Sequence, residues 1–154
     1  MYCSITDLLK DLPRLELINL ANDENRAESV INLASTSDVL VIRVNSIIAD
    51  SDEQINVYLR GKYTLPLTNI PARVVKYSKI ITIYNLYLRR FPVDTPYKAE
   101  YDKIITELMN VQKGMVFLDF PETDSNADVE SNNYVSSKTS ADRIFNDTLL
   151  NTYI

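Results

Sequence analysis

The stretch Pro71-Ala72-Arg73-Val74-Val75-Lys76-Tyr77-Ser78-Lys79-Ile80-Ile81-Thr82-Ile83-Tyr84-Asn85-Leu86-Tyr87-Leu88-Arg89-Arg90-Phe91-Pro92 decides the fold. It lies between two prolines. Pro71 sits where a helix can begin without an N–H, and Pro92 cannot continue one. Between them Val74, Val75, Ile80, Ile81, Ile83, Tyr84, Leu86, Tyr87 and Leu88 recur at helical spacing, and in the second half they run almost all the way round. Such a helix needs neighbours on nearly every side, so 71–91 is predicted to be the central helix of a bundle. Arg73, Lys76 and Lys79 fall on one side of it, with Arg89 and Arg90 at its far end.

Working outward, Val44, Ile47, Ile48, Ser51, Ile55, Tyr58 and Leu59 share one face, which predicts a long helix over 38–60 capped by Asp38. Its opening, Val39-Leu40-Val41-Ile42, is β-branched and reads equally as a short strand. Asn45, Asp52, Glu53 and Asn56 fall on the wet side. Gly61 stands where a left-handed helix stop is wanted. Residues 4–22 read as two short helical pieces reset by Pro13, and the polar stretch 21–37 reads mostly as loop, with a turn or two of helix over 27–34. Downstream, Thr95-Pro96 reads as a cap and first-turn proline for a helix over 96–113. Its stripe is Tyr97, Tyr101, Ile104, Ile105, Leu108 and Val111, and Lys113-Gly114 closes it. Residues 115–120 form a short apolar extended piece. The predicted fold class is all-α: a small bundle of four or five helices with an extended C-terminal arm.

Composition limits function. The 154 residues suit one domain, and they include no histidine, no tryptophan, two glycines and one cysteine. Without histidine the commonest general base and metal ligand are gone, and with so few glycines a phosphate-cradling loop is disfavoured. Cys3 alone permits neither an internal disulfide nor a multi-cysteine metal site. The expectation is therefore a protein that is not an enzyme and uses no cofactor. Residues 1–118 carry 14 cationic and 14 acidic side chains, whereas 119–154 carry seven acids against two bases, so the whole net charge of −5 sits in the tail. This divides the chain into a balanced body, 1–118, and an acidic polar arm, 119–154. The arm ends in an apolar tip, Ile144, Phe145, Leu149, Leu150 and Tyr153, which is expected to dock onto a partner. No run approaches the roughly 18–20 apolar residues of a membrane span, and the first residues lack a secretory pattern.

Residues 48–51 (Ile-Ala-Asp-Ser), followed by 55–67 (Ile-Asn-Val-Tyr-Leu-Arg-Gly-Lys-Tyr-Thr-Leu-Pro-Leu), carry a resemblance. This stretch resembles a Mu-like prophage family, long described as a domain of unknown function, whose members look like head–tail connector (head-completion, or adaptor) proteins. In that family a helix ends in an acid, Tyr-Leu, a base and Gly, and runs into a basic-Tyr-x-Leu-Pro-Leu loop. A proline then opens a long apolar helix. Gly61, Lys62, Tyr63, Leu65, Pro66 and Leu67 are the loop here, with Asn56 where an acid is usual. Pro71, Tyr84, Leu88, Arg89 and Arg90 fit the following helix, Tyr101, Leu108 and Gly114 the next, and Tyr2–Leu20 the opening. The resemblance covers roughly 2–118, with 22–43 altered or enlarged and 119–154 beyond it. It implies a subunit of a ring, about twelve-fold, under the portal protein. It further implies that a tail-completion or stopper protein docks below and that DNA passes only as cargo. The expected location is the virion neck, with the host cytoplasm before assembly.

Each feature has a plainer reading. The loop is either a packed interhelical turn, with Leu65 and Leu67 buried on helix 71–91, or a partner surface presenting Lys62 and Tyr63. The cations of 71–91 are either a nucleic-acid face or a solvated face paired with neighbouring acids. Asp50, Asp52 and Glu53 read as a wet helix turn rather than a metal site. Tyr84, Tyr87, Tyr97 and Tyr101 read as core or core edge, whereas Tyr63, Tyr134 and Tyr153 suit an interface. Cys3 reads as structural or incidental. The alternatives to a connector are another ring or stopper component of the neck and, from a different class, a small helical DNA-binding regulator.

Overall fold

Residues 39–42 are helix rather than strand. Asp38 accepts the Leu40 N–H at 2.9 Å and the Asn32 N–H at 3.2 Å, and this side-chain cap starts α3 (Val39–Leu59). The β-branched opening is tolerated because Leu40, Val41 and Val44 are buried, so packing outweighs local propensity. The computed structural model describes residues 1–91 and 95–119. Among these, α3 is joined by α1 (Ile5–Leu8), α2 (Arg14–Ala21), α4 (Ala72–Arg90) and α5 (Lys98–Gln112), with one 3-10 turn at Glu28–Val30 and no strand. The fold is all-α, as the periodicity predicts.

Ser4 and Asp7 form a reciprocal capping box on α1, with the Asp7 N–H donating to Ser4 Oγ and the Ser4 N–H to the Asp7 carboxylate. A hydrogen bond from Lys10 is the main cause that holds the Asp7 carboxyl down to about 2. Thr95 does not cap the next helix: its hydroxyl donates to the Phe91 carbonyl at 3.0 Å, finishing α4, and α5 starts later, behind Tyr97. Glycine usage also differs from expectation. Gly61 is not left-handed; α3 ends with the Lys62 and Tyr63 N–H groups both on the Leu59 carbonyl, at 2.9 and 3.0 Å. The left-handed stop is Gly114, at φ 75°, where the Gly114 N–H reaches Val111 and the Met115 N–H reaches Asn110, both at 2.9 Å.

Helix α4 packs on all four other helices, but so does α3, so the centre of the bundle is the antiparallel α3–α4 pair rather than α4 alone. Its apolar contacts fall into two clusters. One gathers Leu8, Leu17, Leu40, Val44, Ile48 and Leu86. The other gathers Ile55, Leu59, Val74, Ile81, Leu108 and Val111. Between them in both helices lie buried polar residues: Ser51 and Asp52 on α3, and Ser78 and Thr82 on α4. Asp52, placed on the wet side by periodicity, is only 7 % exposed. It accepts the Tyr2 N–H at 2.7 Å and the Ser78 hydroxyl at 2.6 Å, and the Met1 amine stands 3.8 Å away. A carboxylate is tolerated there because fixed donors replace the water it has lost. Asn85 donates to Ser51 Oγ at 3.2 Å and extends the seam.

The region 22–43 is organised by arginines. Arg43, Arg89 and Arg90 converge on Asp23 at 3.2, 2.6 and 3.1 Å. Arg26 pairs with Asp38, the cap of α3, and the Asn22 side chain clasps the Arg26 backbone through both its amide groups.

Two outcomes follow from the seam and the cap. Asp52→Ala should lower stability by about 1–3 kcal/mol, because it strands the Tyr2 N–H and the Ser78 hydroxyl. Urea unfolding measures this, and Ser78→Ala added to Asp52→Ala should cost little more. The hydrogen bond from Arg26, then the Leu40 N–H, holds the Asp38 carboxyl at about 2, below its ordinary value near 4. A depressed carboxyl stabilises above its ordinary value, and that contribution is lost as pH falls from about 4 towards 2. The Leu40 and Asn32 amide signals should shift together in that window in an NMR titration, and Arg26→Gln should move the midpoint up.

Candidate functional site

The loop 61–67 stands between the end of α3 and the start of α4. Every second residue turns inward. Tyr63 and Leu67 are buried and Leu65 is half-buried, all three against the cluster of Ile55, Leu59 and Val74. Gly61, Lys62, Thr64 and Pro66 face outward. Tyr63 is therefore a core tyrosine, not the interface tyrosine that its loop position suggests. Its hydroxyl accepts the buried Leu118 N–H at 3.0 Å, which ties the loop to the segment leaving α5. Leu65 is only half-covered, so Leu67 is the firmer anchor on α4. The signal for this was the apolar alternation at 63, 65 and 67.

Lys62 extends to the far side. A Cβ on Gly114 would stand 3.4 Å from Lys62 Nζ, so this ammonium lies over the closing turn of α5, where a cation suits the helix C-terminus. Loop, α4 start and α5 end thus share one end of the bundle. Two open grooves flank it. One, of ≈ 440 Å³, is lined by Arg60, Tyr63, Leu65 and Pro66 of the loop side and by Glu53 and Asn56 of α3. The other, of ≈ 700 Å³, lies between α4 and α5. Met115 and Phe117, at 73 % and 54 % exposure, leave an apolar edge beside them.

The remaining candidates are mostly absorbed by structure. Lys79 pairs with Asp11, Arg89 and Arg90 with Asp23, and Arg73 reaches Asp119 at 3.9 Å. Lys76 is exposed. The plain reading of these cations is the one the geometry supports. Asp50, Asp52 and Glu53 do not converge: Asp52 is buried on Ser78, and Glu53 pairs with Arg60 at 3.0 Å. Among the described residues no group of three or more acidic or cysteine side chains is placed to hold a metal. Burial pushes the Cys3 thiol up, so it stays protonated in the core, 3.1 Å from Ser78 Oγ. Tyr84 stacks on Tyr101 at 4.1 Å and 18°, and Tyr87 packs on Tyr97 at 5.6 Å. The arm residues Ile144, Phe145, Leu149, Leu150 and Tyr153 lie outside the described residues, as does Tyr134. Among the described residues no helix is long and apolar enough to cross a membrane.

The family described as "Bacteriophage Mu, Gp36" matches residues 2–137, and the chain belongs to it. The match runs past residue 118, where the resemblance was expected to stop, and takes in the first half of the arm. Body and arm base are therefore matched as one stretch. No curated protein matches the chain significantly. Membership points to a part in phage particle structure or assembly.

Gly61 and Gly114 give a direct check on the two ends of this site. A Cβ at Gly61 meets nothing within 4 Å and the backbone is not left-handed. Gly61→Ala should be neutral or stabilise by about 0.4–1 kcal/mol through the unfolded chain. Gly114→Ala should cost about 1–2 kcal/mol, because its φ of 75° is strained for any side chain. Thermal melts of the two variants should move in opposite directions, or only the second should move.

Proposed function

We propose that this chain is a structural head–tail connector, or adaptor, subunit of a tailed phage or phage-like particle. It forms a ring under the portal protein, about twelve-fold by family resemblance, extends the DNA channel and offers a platform to the tail-completion or stopper protein. The observation that carries this reading is the family match over residues 2–137. The role asked of each subunit is positional and requires no catalytic group or cofactor. DNA is cargo, and a balanced body with an acidic tail suits a channel through which DNA slides without sticking. The acidic arm with its apolar tip is the device that attaches to the portal, where a basic stripe would speed docking.

A DNA-binding regulator is disfavoured by a specific observation. Of the five α4 cations, Lys79, Arg89 and Arg90 are paired with Asp11 and Asp23 and Arg73 stands 3.9 Å from Asp119, which leaves the exposed Lys76 short of the row of Arg and Lys that a recognition helix presents. Another ring or stopper component of the same neck is the nearest alternative, and the order of binding to the portal separates the two.

Native mass measurement of the chain with its portal should give a closed ring on the assembled particle and a smaller species alone. A strict monomer on the particle overturns the proposal. Deleting 119–154 should leave a folded helical body with a nearly unchanged melting temperature while abolishing stable attachment to the portal. Wild-type attachment by the truncated chain would move the contact to the helical body.

A further inference from the structure

The body is neutral as a whole, but its charge is not evenly placed. At the end where the 61–67 loop, the start of α4 and the close of α5 meet, Lys62, Arg73, Lys76 and Lys113 are all exposed. The acids of that end are already engaged. Glu53 pairs with Arg60 at 3.0 Å, the Glu107 carboxylate accepts the Tyr77 hydroxyl at 2.6 Å, and Asp119 stands 3.9 Å from Arg73. Among the described residues no ion pair holds Lys62, Lys76 or Lys113. Beside these cations Met115 and Phe117 form the outward apolar edge.

The opposite end, where α4 finishes and α5 begins, has the other sign. Burial first, and then the charges of Glu16, Asp11 and Glu100, push the Tyr97 hydroxyl up, so three carboxylates stand round this ring. Of the three, Asp11 alone has a cation among the described residues, Lys79. The other cations there are engaged, Lys98 by Asp102 at 3.1 Å and Arg89 and Arg90 by Asp23. Glu16 also lines a hollow of ≈ 280 Å³ with an apolar wall of Leu20, Tyr87 and Phe91. Phe91 is 56 % exposed and Leu88 40 %. The hollow has room for one aromatic side chain, the kind of anchor that dominates an interface.

We propose that this hollow receives Phe117 of a second copy of the chain, with Lys113 of that copy brought to Glu16 and Glu100. The occupant is a second copy because both halves of the contact find their complement on this same chain: an apolar edge among cations at one end, an apolar hollow among carboxylates at the other. A two-fold contact at either end would press like charges together. The two surfaces lie at opposite ends of α4, 19 residues long, so the contact is heterologous, and every copy keeps one surface of each kind to offer. Repeated with a closing rotation, it makes a ring. The inference rests on the connector reading, which asks for a ring, and it assigns the surfaces that meet in it.

The test mixes two full-length chains, one carrying Leu88→Cys and the other Met115→Cys, and treats them with a short bismaleimide. Both positions flank the contact and leave Phe91 and Phe117 intact, and Cys3 is buried and stays silent. Intact mass separates the mixed product from the two like-with-like products. The mixed product should dominate. A mixed product at only its statistical share, or no crosslink between copies, overturns the proposal. Adding Lys113→Glu to the Met115→Cys chain should cut the mixed product about two- to fivefold, the weight of one exposed ion pair, and Glu100→Lys on the Leu88→Cys chain should restore it. Loss without restoration overturns the charge pairing. A ring on the portal without this crosslink would overturn the assigned surfaces and leave the connector reading standing. A monomer on the portal would overturn that reading, whereas the crosslink would still establish the head-to-tail contact.

Discussion

The Asp52 carboxylate holds this structure in register. Apolar surfaces tolerate sliding, because one leucine replaces another at similar cost. A buried carboxylate does not, since each oxygen needs its donor. Asp52 on α3 meets Ser78 on α4 and the Tyr2 N–H from the segment that precedes α1. Shifting α4 by one turn would separate Ser78 from Asp52 and set Val74, or in the other direction the branched Thr82, against the charge. The seam therefore fixes how the two central helices lie along each other, and the two apolar clusters form on either side of that setting.

This ordering explains why the fold was legible from sequence and the seam was not. Helical periodicity reports the apolar stripe, and it placed α3, α4 and α5 to within a few residues. It treats Asp52 as wet because it cannot see the Tyr2 backbone arriving from fifty residues away. The same blindness affects Tyr63. Its position in a loop suggests an exposed ring, but its hydroxyl is satisfied by Leu118, a partner far along the chain. Gly61 shows a third limit. A glycine after a helix is consistent with a left-handed stop, yet the Leu59 carbonyl takes two N–H groups and the stop is made without one.

The candidate site was legible in part. Residues 61–67 were marked by their motif, and the alternation at 63, 65 and 67 contained the packing. The grooves were not visible, because they are formed by α4, α5 and the exit segment meeting at one end of the bundle. Nor could sequence tell which cations were spoken for. Arg89 and Arg90 are adjacent and solvent-facing in a helical wheel, but the 22–43 region folds back and presents Asp23 to both.

That convergence has its own consequence. Asp23 is shared by Arg43, Arg89 and Arg90, and hydrogen bonding from Arg89 is the largest cause holding its carboxyl below the usual range. All four groups sit where ions from solution can reach them, whereas the Asp52 seam is shut away from them. The molecule thus has one joint that feels the surrounding electrolyte and one that does not. In a concentrated ionic medium the corner joining α2 to the tip of α4 slackens while the α3–α4 axis keeps its setting, so the body yields at its rim and stays rigid along its length.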